Sequence, residues 1–461
     1  MPVLYSARQP ESALAGMGVL YSMLVTVVAL LAAPYYLIRD RFRGAPPGYW
    51  LDRLGRLPSS LRGPRENGVI WVHAVSVGET LAVAGLVGEI MRRFPSQPIC
   101  LSHVTPTGRA VGEGRIPGVA GRFYLPLDWK WAARRVFDRL QPRLLIIAET
   151  EIWPNLLAVA SERGTLVALV NARLSDRSLA GYRRFRFLFR DALAAIDVVF
   201  AQTERDADRF RQLGVPPEKV CVASNLKFDA QPPQLGEFPR LARRALEEAG
   251  RGPVLVAGST MAGEEPLVLR AWDRIRERFP SAMLILAPRH PQRFDEVTRL
   301  LRSRGCRFVR RSELDPLNPG VRFAEAEVVL LDTVGELAGV FELADAAFVG
   351  GSLVPTGGHN VLEPAFWAKP VLFGVHMHHF RDIAEQFLAE GAAFQVKDAD
   401  DLANRTSELF ADARFREEMG NRAKRLLENG SGATKRIAGQ LAGWLGEEPT
   451  LQIAAVEGHA S

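Results

Sequence analysis

Cysteine is scarce in this sequence, and its spacing excludes the usual roles of cysteine clusters. Of 461 residues only three are cysteines, Cys100, Cys221 and Cys306, and no two of them form a CxxC pair. A small secreted fold held by disulfides is therefore excluded, as is a structural zinc site of the cysteine type. We expect reduced thiols in the core of a cytoplasmic protein.

Low-complexity tracts and short-period repeats are also missing. Hydrophobic residues make up 47% of the chain and charged residues 24%, which is typical of a folded protein and not of a disordered one. His376, His378 and His379 lie close together, but no acidic partner has the spacing of a zinc protease motif. We therefore expect solvated or ligand-facing histidines rather than metal ligands.

The length and the charge balance narrow the class of protein further. A chain of 461 residues is long enough for two substantial domains. Its net charge of +6 and isoelectric point near 9.4 indicate an anionic partner, either nucleic acid or a membrane surface.

The run from Ser12 to Ile38 has 27 residues without a charge, which favours the membrane. About 20 apolar residues suffice to cross the hydrocarbon core. The run is preceded by Arg8 and followed by Arg39, Arg41, Arg43, Arg53 and Arg56. The positive-inside rule then places the rest of the chain in the cytoplasm. A signal peptide would have a shorter core preceded by charge, so we predict a single-pass anchor, with a membrane-surface helix as the alternative.

Beyond this run, short apolar segments alternate with amphipathic stretches, the pattern of parallel α/β units. The expected strands are 69–72, 98–104, 144–148, 166–170 and 197–201, and then 254–257, 283–287, 328–331, 346–349 and 370–373. The pattern predicts two doubly wound lobes facing a cleft, with ligands at the carboxyl ends of the strands. The predicted boundaries are an anchor at 1–38, a first lobe at 39–228, a hinge at 229–239, a second lobe at 240–446 and a flexible tail at 447–461.

The most informative segment is the glycine-rich stretch Gly350–Pro364, which follows the apolar run Ala346–Val349. Its two glycine pairs leave backbone N–H groups open to an anion, because no Cβ blocks the approach. Residues 360–363 resemble the first turn of a helix, whose unpaired N–H groups favour phosphate. A strand, a glycine-rich loop and a helix in this order predict a nucleotide site.

Glu79 lies just after the first predicted strand, in the segment His73–Glu79. At the lip of the cleft its carboxylate could accept a proton from a substrate hydroxyl. Alternatively, Ser76 and Glu79 form a capping box. A helix N-terminus lowers the pKa of a carboxyl group, so a general base here would need burial. The sequence leaves both interpretations open.

Two carboxylates, Glu149 and Glu151, end the strand 144–148, and in an extended strand they would share a face. Such a pair favours a site over a core position. The segment Asn171–Ser178 follows the next strand, and its arginines either clamp a carboxylate or phosphate or belong to an ordinary polar loop.

Arginines and aromatic residues alternate from Tyr182 to Asp191. This stretch either lies on an anionic membrane face or contributes its aromatic side chains to the core, and the sequence does not decide between the two. In the second half, Arg289 ends a strand with a cation suited to phosphate.

Taken together, these motifs resemble one family, the 3-deoxy-D-manno-octulosonic acid (Kdo) transferases of lipid A assembly. The similarity covers nearly the whole chain, from the apolar run to about Trp444, and the motifs occur in the family's order. They are HAVSVGET, TPTG, ETEIWPN, NARLSDRS, NLKFD, GST…GEE, PRHPQRF, DTVGEL and FVGGSLVPTGGHNVLEPA.

The resemblance implies a GT-B fold with two Rossmann-like lobes, and inverting transfer of Kdo from CMP-Kdo to the lipid A precursor lipid IVA at the bacterial inner membrane. It also implies that Glu79 is the general base and that Glu149 and Lys227 stabilise the transition state. The implied CMP contacts are Pro288, Arg289, Val334, Gly335, Glu336, Asn360, Val361, Leu362 and Glu363. Neither a metal nor a cofactor is implied, and nucleic acid is not an expected partner.

The chain departs from the family pattern near the expected donor site. Met261 stands where a histidine is usual, and Val375 and His379 depart from the common GPHxxNF motif. The alternatives are another GT-B nucleotide-sugar transferase, an epimerase, or a non-catalytic, membrane-tethered nucleotide-sugar-binding protein. An epimerase would need neither the apolar run nor the acidic pair. The number of Kdo residues added, the acyl pattern of the acceptor and the oligomeric state do not follow from the sequence.

Overall fold

The computed structural model describes residues 15–43, 48–61, 68–229, 233, 235–314 and 325–446. These residues form two compact units. The first unit contains the described residues up to 229 and those from 431 onward, and the second contains those from 233 to 430. Each unit has its own parallel sheet and its own apolar core. The predicted tail, 447–461, lies outside the described residues.

The described part of the first unit contains a seven-stranded parallel sheet with the order β3-β2-β1-β4-β5-β6-β7. Its strands are β1 (Val69–His73), β2 (Ile99–His103), β3 (Gly121–Tyr124), β4 (Pro142–Ala148), β5 (Leu166–Ala172), β6 (Val198–Ala201) and β7 (Val220–Val222). The strands are apolar on both faces because helices cover both sides of a parallel sheet. Thus Ile70 and Ile146 belong to one apolar cluster, whereas Trp71 and Leu145 belong to the other.

The first nine helices belong to this unit. They are α1 (Ala15–Arg43), α2 (Tyr49–Arg53), α3 (Val77–Arg93), α4 (Pro106–Arg115), α5 (Lys130–Leu140), α6 (Pro154–Glu162), α7 (Asp176–Arg184), α8 (Arg186–Ala194) and α9 (Glu204–Leu213). A 3-10 turn, Leu226–Asp229, follows β7.

The described part of the second unit also contains a seven-stranded parallel sheet, with the order β10-β11-β9-β8-β12-β13-β14. Its strands are β8 (Val254–Thr260), β9 (Met283–Pro288), β10 (Phe308–Arg310), β11 (Val328–Leu330), β12 (Ala346–Val349), β13 (Val371–Phe373) and β14 (Ala393–Gln395). Its helices are α10 (Glu237–Glu248), α11 (Glu265–Arg278), α12 (Phe294–Ser303), α13 (Leu337–Val340), α14 (Leu362–Phe366), α15 (Arg381–Ala389), α16 (Ala399–Ala411) and α17 (Ala413–Gly430).

The last helix, α18 (Ala433–Leu445), corrects the predicted boundary at 446. It belongs to the first unit, where Ile437 and Leu441 are buried in the same cluster as Val87 and Ile90 of α3. The reason is its apolar stripe, which completes the cover over one face of the first sheet. The predicted hinge is also shorter than expected, because α10 already begins at Glu237.

All ten strands expected from the sequence are present, although their ends differ by a few residues. The sequence did not predict β3, β7, β10 or β14, each of three or four residues. A strand this short is detected only where it is part of a clear apolar run, and Arg122, Arg310 and Gln395 interrupt three of these four segments. The three cysteines are free, and Cys100 is buried, whereas Cys221 and Cys306 are partly exposed.

Helix α1 covers residues 15–38 of the predicted anchor, whose first fourteen residues lie outside the described part of the chain. Among the residues that the structure describes, no helix combines the length and the apolar character needed to cross a membrane. The single-pass anchor is therefore not confirmed. One side of α1 is exposed and strongly apolar. The exposed residues are Met23, Leu24, Val27, Val28, Leu30 and Leu31.

The aromatic residues of the stretch 182–191 lie partly in the core and partly on the surface. Tyr182 and Phe189 pack against the apolar core, and their rings meet edge to face at 4.8 Å. Phe185 and Phe187 are instead exposed. The helical pattern therefore contributes to the core, and two of its aromatic side chains remain on the surface.

The sheet order determines where ligands can bind. In an open parallel sheet, ligands bind beyond the carboxyl ends of the strands, where the strand order reverses. That point lies between β1 and β4 in the first unit and between β8 and β12 in the second. Glu79 and Glu149 follow β1 and β4, and the glycine-rich segment follows β12.

Candidate active site

Glu79 occupies the first turn of α3, directly after β1. Its carboxylate accepts a hydrogen bond from the Val75 backbone N–H at 2.8 Å and one from the Ser76 hydroxyl at 2.9 Å. Ser76 is the N-cap residue, but its side chain accepts no capping bond from the helix. A reciprocal capping box is therefore absent at this helix end, and both bonds orient the carboxylate instead.

The environment of Glu79 shifts the pKa of its carboxyl group towards neutrality. Its side chain is buried, with 7% of the residue exposed. Burial raises the pKa of Glu79 to about 7, and the neighbouring carboxylates of Glu149 and Glu151 add to this effect. The bonds from Val75 and Ser76 oppose the shift. A base with a pKa near neutral is well matched to proton transfer at physiological pH.

The carboxylate pair after β4 differs from its predicted geometry. The strand ends at Ala148, and Glu149 has a left-handed backbone with φ 55°. Glu149 and Glu151 therefore do not share the face of an extended strand. Glu149 pairs with Arg173, Nε to Oε2, at 3.1 Å. Burial raises the pKa of Glu151 to about 7, with a further contribution from Glu149.

The two arginines of the segment 171–178 differ in their surroundings. Arg173 holds the carboxylate of Glu149, and its carbonyl oxygen accepts the hydroxyl of Thr150. Asp176 begins α7 and pairs with Arg205 and Arg209 of α9, whereas Arg177 is exposed. One of the two predicted clamp arginines, Arg173, therefore has a partner within the chain, and that partner is a candidate catalytic residue.

Lys227 lies in the 3-10 turn after β7, and a buried amide network fixes this turn. The Asn171 side chain accepts the Leu226 N–H at 3.0 Å, and Gln202 joins Asn171 and Asn225 through bonds of 2.9 and 2.8 Å. The turn also packs against α3, the helix that carries Glu79. The structure thus brings the segments of Glu79, Glu149 and Lys227 to one edge of the first sheet.

The glycine-rich segment of the second unit is built differently from the prediction. The fully buried Glu264 directs its carboxylate at the N–H groups that the sequence predicted to be open. Oε2 accepts the N–H groups of Gly351 at 2.6 Å and Met261 at 2.9 Å, and Oε1 accepts those of Ser352 and Leu353, both at 2.8 Å. An internal carboxylate therefore occupies this anion-binding nest.

The glycines of this segment allow close packing of side chains rather than of a ligand. Gly351, Gly357 and Gly358 all have positive φ. A Cβ on Gly351 would lie 2.8 Å from the His359 ring, and one on Gly358 would lie 2.3 Å from the Met377 sulfur. A β-carbon at either position would therefore collide with these side chains.

The N–H groups that remain available come later in the segment. Among the described residues, the backbone N–H groups of His359, Asn360 and Val361 donate no hydrogen bond. His359 and Asn360 are partly exposed, whereas Val361 is fully buried. The Leu362 N–H is bound to the Asn360 side chain at 3.1 Å. Burial raises the pKa of the neighbouring Glu363.

Positive charge surrounds this part of the second unit. Burial lowers the pKa of His359 to about 4, and the charges of Arg289, His379 and His290 lower it further. Arg289 follows β9, and its backbone N–H donates to the carbonyl oxygen of Thr260 at 2.9 Å. His359 had no assigned role in the sequence interpretation. Its buried Nε2, which has no hydrogen-bond partner among the described residues, is visible only in three dimensions.

Three of the predicted CMP contacts, Val334, Gly335 and Glu336, lie in the segment 332–337. Gly335 has φ 90°, and Val334 beside it is exposed. The Glu336 carboxylate pairs with Arg311 at 3.0 Å and accepts the hydroxyl of Thr333. Arg311 was not predicted, because its partner lies 25 residues away in sequence. No group of three or more potential metal ligands occurs among the described residues.

Solved structures with the same pair of parallel-sheet α/β domains identify the class of fold. The UDP-GlcNAc 2-epimerase of Neisseria meningitidis has a TM-score of 0.52 and 15% identity, covering 81% of this chain and 99% of that one. A glycosyltransferase of Rickettsia africae has a TM-score of 0.50 and 10% identity, covering 83% and 100%. At such identities the likeness concerns the fold alone, which is that of GT-B glycosyltransferases.

Sequence relatives define the family within this class. Residues 49–230 match the family described as 3-Deoxy-D-manno-octulosonic-acid transferase (kdotransferase). The 3-deoxy-D-manno-octulosonic acid transferase of Bordetella pertussis is 37% identical over 399 residues, which cover 85% of this chain and 90% of that protein. The chain belongs to the Kdo transferase family, a family of glycosyltransferases.

Proposed function

We propose that this protein transfers Kdo from CMP-Kdo to a lipid A precursor, lipid IVA, with inversion, in the assembly of the lipopolysaccharide inner core. Membership of the Kdo transferase family supports the reaction class. The single observation that carries the mechanism is the buried Glu79, whose pKa of about 7 suits a base at the point where the strand order of the first sheet reverses.

The proposed reaction is one displacement at the anomeric carbon of Kdo. Glu79 takes the proton of the acceptor hydroxyl, whose oxygen forms the new bond to that carbon. The bond from the anomeric carbon to the phosphate oxygen breaks, and CMP leaves with the electron pair. Attack from the face opposite to CMP inverts the configuration. A positioned base contributes about 10²–10⁴ in rate.

Glu149 and Lys227 are the proposed stabilisers of the transition state. The Arg173 pair and the Val170 carbonyl, which accepts the Glu149 N–H at 2.9 Å, hold Glu149 in place. Lys227 supplies a cation that suits the carboxylate of Kdo. The described structure supports these roles by fixing both segments at the edge of the sheet that carries Glu79.

The proposed CMP contacts belong to the second unit. Arg289 supplies charge to the phosphate, and the N–H groups of His359 and Asn360 supply hydrogen bonds. Glu363 suits the ribose hydroxyls. The remaining proposed contacts are Pro288, Val334, Gly335, Glu336, Val361 and Leu362. We propose that these groups act without a metal ion or a cofactor.

We further propose that α1 attaches the protein to the cytoplasmic face of the inner membrane. The exposed apolar side of α1 and the basic charge of the chain suit an anionic membrane surface. The opposite side of α1 packs against α6 and α8. This two-sided arrangement favours a helix that lies in the membrane surface over one that leaves the protein to cross the bilayer.

Incubation with CMP-Kdo and a tetraacylated lipid A precursor, followed by mass spectrometry of the lipid, tests the proposal. A mass gain of one or more Kdo units is expected. A parallel incubation with UDP-GlcNAc and no acceptor tests the epimerase alternative. If CMP binds but neither product forms, the transferase proposal is wrong, and the non-catalytic binding protein becomes the better account.

A further inference from the structure

The inner side of α1 carries three hydroxyl groups, each hydrogen-bonded to another part of the first unit. The Tyr21 hydroxyl donates to Asp128 at 2.9 Å. The Ser22 hydroxyl donates to the side-chain oxygen of Asn155 at 3.2 Å. The indole N–H of Trp129 donates to the Thr26 hydroxyl at 3.0 Å. Attachment to a membrane requires none of these bonds.

Asp128 connects α1 to the start of α6. Its two carboxylate oxygens accept the N–H groups of Asn155 at 3.1 Å and Leu156 at 2.8 Å, which are unpaired donors of the first helical turn. In return, the Asn155 side chain donates to the Asp128 carbonyl at 2.6 Å. Asp128 and Asn155 are 5% and 3% exposed, so water cannot replace these bonds readily.

The start of α6 is also the end of the loop that carries the candidate site carboxylates. Pro154, its first residue, follows Glu151 by three positions. At the other end of the loop, the Arg173 pair and the Val170 carbonyl fix Glu149. The loop from Glu149 to Asn155 is therefore held at both ends, and α1 contributes to one of them.

We propose that α1 is a positioning element of the active site, acting through Asp128 and Asn155 on the loop 149–155. Tyr21 and Ser22 hold the start of α6, which in turn determines where Glu149 and Glu151 lie relative to Glu79. The same helix presents its apolar side for the membrane, so membrane attachment and site geometry depend on one element. This inference rests on the proposed function of the Glu79 site.

The test is the double variant Tyr21→Phe/Ser22→Ala, which removes two hydroxyl groups and keeps the apolar side of α1. Its matched control is Ser59→Ala/Ser60→Ala, which removes two hydroxyl groups from exposed residues of the same unit. With acceptor dispersed in detergent, kcat of the double variant is expected to fall roughly tenfold or more. The KM for CMP-Kdo and the binding to anionic vesicles are expected to be unchanged.

Two further measurements separate positioning from a general loss of stability. The midpoint of the pH–rate profile is expected to move in the double variant, because the distances among the three glutamates change. Asp128→Asn, which keeps one acceptor oxygen, is expected to retain more activity than Asp128→Ala. A lower melting temperature with unchanged kcat and pH profile would overturn the inference.

Hydrogen exchange of residues 149–156 decides the question even if the wild type fails to transfer Kdo. Faster exchange in the double variant, with the control unchanged, supports positioning by α1. Exchange at the wild-type rate overturns it. Absence of transfer by the wild type would instead count against the proposed function, so the two failures are distinguishable.

Discussion

The carboxylate of Glu264 accepts the backbone N–H of Gly351 at 2.6 Å, and this bond explains how the glycine-rich segment is held. Glu264 precedes α11, the helix after β8, whereas Gly351 follows β12. The two strands are neighbours in the sheet, so the bond joins the loops at the point where the strand order reverses. A buried carboxylate thus takes the place that an isolated glycine-rich loop would offer to phosphate.

Replacing Glu264 with glutamine is expected to loosen this segment. The amide keeps one acceptor oxygen but turns an NH₂ group towards backbone donors. Loss of charge-assisted bonds at a buried site costs about 2–4 kcal/mol in the free energy of unfolding. CMP affinity should fall as well, since Asn360 and Val361 lie in the same segment. Calorimetric titration with CMP and thermal unfolding measure both effects.

The control for this variant is Glu390→Gln, which changes an exposed glutamate of the same unit. It should bind CMP and unfold as the wild type does. If Glu264→Gln also matches the wild type, the four N–H bonds have no role in shaping the donor site.

Glu79→Gln is expected to abolish transfer while leaving the protein folded. The amide cannot accept the proton of the acceptor hydroxyl, so kcat should fall by about 10²–10⁴. CMP binding should persist, because the proposed CMP contacts lie in the other unit. Product formation is followed by mass spectrometry and CMP binding by titration. Turnover at the wild-type rate would remove Glu79 from the role of base.

The pH dependence of kcat/KM should follow the ionisation of Glu79. Because its pKa is raised to about 7 by burial, the base is mostly protonated below that pH. The rate should therefore rise with pH and level off above about 7. Glu151, with a similar pKa, is expected to broaden the transition. A rate that is already constant between pH 5 and 8 would show that Glu79 ionises far lower.

Transfer is expected to survive treatment with EDTA. The proposed stabilisation of the leaving phosphate comes from fixed groups, namely Arg289 and the N–H groups of His359 and Asn360, and not from a divalent ion. Rates are compared before chelation, after chelation and after addition of Mg²⁺. A loss that Mg²⁺ restores would contradict this account of the donor site.

The fold was largely predictable because buried parallel strands are continuous apolar runs. All ten expected strands occur, and Glu79 and Glu149 follow strand ends at the point where the strand order reverses. The position of α18 was not predictable, since a helix pattern shows an apolar stripe but not the sheet it will cover. Ile437 and Ile90, which belong to the same apolar cluster, are far apart in sequence.

The site was predicted less completely, for a physical reason. Burial and hydrogen-bond partners are properties of the folded chain, so the raised pKa of Glu79 and the occupation of the Gly351 N–H could not be derived from the motifs. Arg173 illustrates the same limit. Its position after a strand indicated a role in binding anions, but only the structure shows that its partner is Glu149.

The free energy of unfolding offers a test of the Glu79 pKa that does not depend on activity. Its pKa is raised on folding from 4.5 to about 7, so protonation of Glu79 stabilises the folded state fully below about pH 4.5. This contribution to the free energy of unfolding is at most about 3 kcal/mol, and it is lost as the pH rises through about 7. Glu79→Gln has no charge to bury. The free energy of unfolding of Glu79→Gln, minus that of the wild type, should therefore be larger at pH 8.5 than at pH 4.5. Denaturant unfolding at both pH values measures this difference. Glu390→Gln serves again as the control and should show no such gain. An equal difference between wild type and Glu79→Gln at the two pH values would mean that folding does not raise the pKa of this carboxyl group.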